Sequence, residues 1–190
     1  MGPLDLTHTL VEGRQCGACY VCCEVSAIQD PGLLKPAYTL CPHHKGGCTV
    51  YETRFAICRS FHCLWRRLGG LDEDARPDKL GVLFAFQRDA NPDSPFASVY
   101  VCGYPVKDED AAVFETPAVK AILQKLIEET ALPVWIARGD RKRLIWPDRE
   151  LGDAILDPAS AASAEAKARA EVWRKRYNRW VALYDMAGGA

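Results

Sequence analysis

The chain has 190 residues, of which 48% are hydrophobic, and a formal net charge of -1. This suits one domain, or one domain with an appended element, with enough apolar material for a core. A near-neutral charge excludes a global field drawing the chain to nucleic acid or to an anionic membrane, so neither is expected as a partner. The N-terminus, Met1-Gly-Pro-Leu-Asp-Leu-Thr-His8, lacks the basic start and apolar run of a targeting segment. No stretch approaches the ~18 apolar residues of a spanning helix. The expected location is the cytoplasm, where thiols are kept reduced.

Taken in order, the first dozen or so residues carry no pattern and are expected as a loosely held arm. Eight of the nine cysteines then fall between Cys16 and Cys63. Asp30-Pro31-Gly32 and Lys35-Pro36 mark turns, and Cys41 to Cys48 reads as a loop closed by two cysteines. Thr49-Val50-Tyr51 is expected as a short strand and Thr53 to about Leu68 as a helix ended by Gly69-Gly70. Leu71 to Asp78 is an acidic connector. Leu80–Gln87 and Phe96–Tyr104 are apolar runs separated by turn formers, the mark of an antiparallel hairpin.

Thr116-Pro117 supplies a cap and a first-turn proline for a helix. Its apolar face is Val119, Ile122, Leu123, Leu126 and Ile127, and Pro133 ends it. Val134–Arg138 and Arg141–Trp146 flank Gly139-Asp140 as a second hairpin. Asp157-Pro158 opens a long helix to about Met186, in which Trp173, Tyr177, Trp180 and Tyr184 form one stripe. Its basic residues Arg174, Lys175, Arg176 and Arg179 are expected in water. The predicted class is α+β. A cysteine-rich metal-binding lobe (1–70) packs on a small antiparallel sheet with flanking helices and a long C-terminal helix (71–190), the two forming one compact unit.

The cysteines carry the chemistry. A disulfide frame is disfavoured by a reducing compartment and an odd thiol count. Thiolate is a soft ligand suited to zinc, iron–sulfur clusters or cuprous copper. Cys16-Gly-Ala-Cys19 spacing lets two sulfurs reach one ion, and structural zinc takes four such ligands. Eight cysteines therefore suffice for two zinc ions, or for one zinc and one four-cysteine cluster. Cys22 and Cys23 are adjacent, so on a helix their side chains diverge by ~100° and on a strand they point apart. Either each serves a different centre, or both edge a polynuclear site.

Cys16-x-x-Cys19-x-x-Cys22-Cys23, Lys35-Pro36-Ala37, Cys41, Gly47-Cys48-x-x-Tyr51-Glu-Thr-Arg54 and Cys58-Arg59-x-Phe61-x-Cys63-x-Trp65 together resemble the YkgJ-type cysteine-cluster family, over about residues 14 to 66. That family is described as a zinc- or iron-chelating domain. The resemblance implies that Cys16, Cys19, Cys22, Cys23, Cys41, Cys48, Cys58 and Cys63 are metal ligands. Many members carry proline after the arginine where Phe55 follows Arg54 here. A few larger relatives in that family, flagellin lysine methylases, pair a similar cysteine set with an iron–sulfur cluster, so the resemblance tilts the expectation slightly towards iron. Nothing in the rest of the chain matches a methylase.

The expected function is a metal-binding protein holding an iron–sulfur cluster, zinc or both. Two other classes are weighed against it: a metal-dependent redox or transferase enzyme of unassigned substrate, and a thiol-based redox or metal-delivery protein. Cys102, inside the apolar run Val99-Tyr-Val-Cys102, is expected as a buried free thiol. His43 and His44 sit between two proposed ligands and offer an imidazole to complete a site, as does His62 beside Cys63, but the first reading of all three is as solvent-facing histidines. Arg54, Arg59, Arg66 and Arg67 either offset thiolate charge or form solvated surface. No nucleophile–base pair and no phosphate-binding glycine loop is visible.

Overall fold

Asp5 and Leu6, in the N-terminal stretch expected to be loose, are held by backbone pairing, while residues 1 and 7–9 of that stretch lie outside the described residues. The computed structural model describes residues 2–6, 10–107, 112–139, 141–159, 161 and 163–188. Strand β1 (Asp5–Leu6) pairs antiparallel with Leu68–Gly69, which forms β4, and Leu6 is buried in the main core. The amide of Leu4 donates to Glu129 Oε2 at 2.6 Å. Gly70 makes the close approach possible: it takes φ 78°, and a Cβ there would stand 2.2 Å from Pro3 O. Arg14 completes the attachment. Its guanidinium donates to the carbonyls of Trp65, Leu68 and Leu71 and lies over the Trp65 ring.

The cysteine-rich region is built from short pieces: helix α1 (Val21–Val25), the hairpin β2 (Ile28–Asp30) and β3 (Leu33–Lys35), and helices α2 (Ala56–Ser60) and α3 (Leu64–Arg67). Two expectations are corrected here. Thr49–Tyr51 is a turn rather than a strand, because the Thr49 amide and hydroxyl both donate to His43 O at 2.9 Å and spend the backbone on closing the loop. The helix expected over 53–68 is two helices. The chain turns extended at Phe61 and again at Cys63, at ψ 124° and ψ 159°, so that Cys63 starts α3 instead of continuing α2.

After helix α4 (Pro77–Leu80), the strands β5 (Val82–Gln87), β6 (Tyr100–Pro105), β7 (Val134–Arg138) and β8 (Arg141–Trp146) make one sheet in that order. The two predicted hairpins are present: β5 pairs antiparallel with β6, and β7 with β8. Asp140, assigned to the second turn, lies outside the described residues. The sheet is nevertheless mixed rather than antiparallel, because β6 and β7 run parallel, with Cys102 opposite Trp135. Helix α5 (Pro117–Thr130) joins them, and parallel neighbours require such a crossover. Thr116 caps α5 as predicted, but the helix ends at Ala131 in a left-handed conformation (φ 58°), before Pro133 is reached.

Helix α6 (Arg149–Leu156) was not anticipated. Asp157 ends it, its amide donating to Asp153 O, and so does not start the last helix. Helix α7 (Ala164–Met186) is capped instead by Ser163, whose Oγ accepts from the Ala166 amide at 3.0 Å. Its aromatic stripe packs inward as the periodicity required: Phe86 meets Tyr184 at 5.5 Å, and Trp173 stacks on Tyr177 at 4.7 Å. Lys175, Arg176 and Arg179 are exposed. The fold is thus α+β. No helix among the described residues is long and apolar enough to cross a membrane.

Strand β5 is apolar along its length because both of its faces are covered. Val82, Phe84 and Phe86 belong to the main core with α5, α6 and α7, while Leu83 and Ala85 pack on Val21 and Val25 of α1. The second face of the sheet thereby becomes the wall against which the cysteines are arranged.

Candidate functional site

The first two thiols share one turn. The Cys19 amide donates to Cys16 O at 2.9 Å, and Gly17 between them takes φ 54°, a conformation glycine adopts at little cost. Cys22 and Cys23 are consecutive on α1. Cys41 is joined to that helix by its amide, which donates to Cys23 O at 2.9 Å. Cys48 closes the following loop by an antiparallel bridge to His44, whose own amide donates to Cys41 O. Cys58 lies on α2, and Cys63 is the N-cap of α3.

These eight cysteines all line a single cavity of about 410 Å³, with Leu83, Gln87 and Tyr104 of the sheet among its other walls. Tyr38 ties the cavity to β7: its hydroxyl donates to Ala137 O at 3.5 Å and Arg138 lies over its ring at 4.4 Å. All nine cysteines are free. Cys102 is set apart from the rest, buried in β6 and outside the cavity lining, as the sequence suggested.

Burial dominates the thiol electrostatics. It pushes Cys19 up to about 11 and Cys63 up to about 12, the latter with Cys16 and Cys19 adding to the shift. Cys58 is also raised by burial, and its thiol neighbours are Cys23, Cys41 and Cys48. The adjacent pair behaves differently. The Cys22 thiol donates to Cys23, which raises Cys22 well above its ordinary value and holds Cys23 down to about 7. Lys35 and Arg54 favour the Cys23 thiolate further.

Among the described residues no carboxylate lines the cavity, whereas Arg54, Arg66 and Arg76 do. Arg66 is only 6% exposed, and its Nη1 donates to Cys16 Sγ at 3.4 Å. Arg54 lies over the Tyr51 ring at 3.9 Å. The Nε atoms of Arg54 and Arg66 are buried without a hydrogen-bond partner, so one donor of each stands unsatisfied beside the thiols. Arg76 is engaged by Asp78 at 2.6 Å. Of the other arginines singled out, Arg59 donates to Arg54 O and Arg67 lies over Phe86 and Tyr184, both outside the cavity lining. His43 and His62 line the cavity, while His44 does not and has a buried Nε2 without a partner.

One charged group was not identified from sequence as a site residue. Lys35 lies behind the cavity rather than in its lining; it is 4% exposed, and its ammonium donates to the carbonyls of Glu24, Pro36 and Thr39 at 3.1, 3.0 and 2.7 Å. Lysine is rarely buried, and nothing in its neighbours Leu34 and Pro36 announces that it is.

The arrangement can supply soft sulfur donors, charge-compensated by buried cations, around a space rather than at a point. Among the described residues no group of three or more His, Cys, Asp or Glu side chains is disposed to hold a metal ion as it stands. The donor set is nonetheless that of thiophilic metals, and the orphaned Arg54 and Arg66 donors fit a negatively charged thiolate centre. Comparison with models of protein families, with curated proteins and with solved structures finds no match to this chain.

Proposed function

We propose that this chain is a metal-binding protein in which Cys16, Cys19, Cys22, Cys23, Cys41, Cys48, Cys58 and Cys63 hold an iron–sulfur cluster, zinc, or both. The observation that carries the reading is the gathering of all eight thiols around one cavity. Cysteines serving only as small apolar residues would be dispersed through the core, as Cys102 is. The YkgJ-type order and spacing of the motif support the same ligand set. Binding would displace thiol protons, since each cysteine ligates as the thiolate. Lys35 and Arg66 would offset the resulting thiolate charge, and the walls formed by Val25, Ile28 and Leu83 would keep water from the sulfurs. A bound cluster would supply electron transfer, and bound zinc a cross-link between the short elements.

The cavity also favours a second reading, a metal-dependent redox or transferase enzyme. Its volume of about 410 Å³ lies within the range of small-molecule sites, and the sheet residues Gln87 and Tyr104 line it beside the thiols. Anaerobic purification followed by iron, zinc and acid-labile sulfide analysis tests the primary reading. At least one centre per chain is expected. A chain with neither metal and with all eight thiols freely alkylated would overturn it.

A further inference from the structure

We infer that the eight thiols form two four-thiolate sets, Cys16, Cys19, Cys22 and Cys63 in one and Cys23, Cys41, Cys48 and Cys58 in the other, each with its own buried cation, Arg66 for the first and Lys35 for the second. This rests on the metal-binding reading above and specifies its stoichiometry and ligands.

The first set is joined by packing and by Arg66. Cys19, Cys22 and Cys63 pack in the same apolar cluster as Val21, Val25 and Leu83, and none of the other four does. Cys16 belongs with them through its turn to Cys19 and through Arg66. That residue donates from Nη1 to Cys16 Sγ at 3.4 Å and from its amide to Cys63 O at 2.9 Å.

The second set is joined by backbone bonds and by Lys35. The Cys41 amide meets Cys23 O, the His44 amide meets Cys41 O, and His44 bridges Cys48. Cys58 is joined to the same loop through Phe55: its amide donates to Phe55 O at 2.9 Å, and the Phe55 ring lies 5.8 Å from that of His43, between Cys41 and Cys48. Lys35 fastens the carbonyl of Glu24, next to Cys23, to those of Pro36 and Thr39 on the way to Cys41. Its hydrogen bonds all go to carbonyls, which carry no net charge. A buried cation is costly without an anion nearby. The thiols nearest along its hydrogen bonds are Cys23, next to Glu24, and Cys41, two residues after Thr39. The division falls between Cys22 and Cys23, whose thiols are hydrogen-bonded to each other in the metal-free chain; adjacent side chains on α1 leave the helix ~100° apart, which lets each thiolate take a centre of its own.

The full chain, purified without oxygen and stripped of metal, is titrated with Co²⁺, whose tetrathiolate complexes absorb visibly. Two equivalents are expected. The double variants Cys19→Ser/Cys63→Ser and Cys41→Ser/Cys58→Ser should each lose one equivalent, and Cys58→Ser/Cys63→Ser should lose both. Lys35→Met should weaken only the equivalent lost in Cys41→Ser/Cys58→Ser, by roughly 10–100-fold, with Lys35→Arg restoring it, and Arg66→Gln should weaken only the other. The serine variants decide the division even where Lys35→Met does not fold. A single equivalent in the unaltered chain, or loss of both in either within-set variant, overturns the division and leaves metal binding standing. Binding of no Co²⁺ by the unaltered chain overturns the metal-binding reading itself, and the division with it.

Discussion

Leu83→Ala tests whether the cysteine-rich region is packed on the sheet. Leu83 is 1% exposed and packs on Val21 and Val25 of α1 from the face of β5 opposite the main core. The change removes three carbons, worth about 2.4 kcal/mol at about 0.8 kcal/mol per buried methylene. Leu→Ala losses in cores run to about 5 kcal/mol when an enclosed void remains. Leu83 already borders the cavity, so the space it vacates opens into existing volume and the void adds little. The expected cost is therefore about 2.5–3 kcal/mol. With an m-value of about 2 kcal/mol/M, the urea midpoint of the metal-free chain should fall by roughly 1.3 M, and Tm by roughly 5–12 °C. Leu34→Ala, at a residue 80% exposed in the β2–β3 hairpin, is the control and should change stability by less than about 0.5 kcal/mol. If Leu83→Ala costs less than about 1 kcal/mol, with an unchanged m-value, the packing of α1 on the sheet is not what holds this face.

Two further outcomes follow from local geometry and from the thiols. Gly70→Ala should release the N-terminal strand, since the residue has φ 78° and its Cβ would meet Pro3 O at 2.2 Å; amide hydrogen exchange at Leu6 and Leu68 should rise sharply, and unchanged protection there would contradict the pairing. At pH 8 in the metal-free chain, iodoacetamide should modify Cys23 before Cys19, because Cys23 is lowered to about 7 and Cys19 raised to about 11. The lower intrinsic reactivity of a more acidic thiolate reduces the advantage to roughly tenfold. The signs for stability are opposite. The Cys23 contribution is present above the ordinary value of 9.0 and is lost as pH falls through about 7, while that of Cys19 is present below 9.0 and is lost as pH rises through about 11. Equal labelling of the two thiols at pH 8 would refute the assignment.

Much of the scaffold was legible residue by residue. Thr116-Pro117 and the Val119-to-Ile127 periodicity marked α5, and the four aromatics of α7 marked its buried stripe. The errors arose where local signals competed. Asp157-Pro158 has the form of a helix start, yet Asp157 ends α6, and Ser163 takes the cap. Thr49-Val50-Tyr51 has strand-forming residues, but a hydrogen-bonded loop claims them.

By itself the sequence determined the identity and spacing of the thiols, the two hairpins, and the separation of Cys102 from the cluster. These depend on periodicity, turn chemistry and residue type, which act over a few neighbouring positions. Tertiary structure alone decided that β6 and β7 run parallel, that Lys35 is buried among carbonyls, and that Leu83, Gln87 and Tyr104 complete a cavity begun by cysteines at 16 to 63. Each of these joins groups far apart in the chain, and such contacts form only when one face of the sheet is covered by α5, α6 and α7 and the other is left for α1 and the thiols.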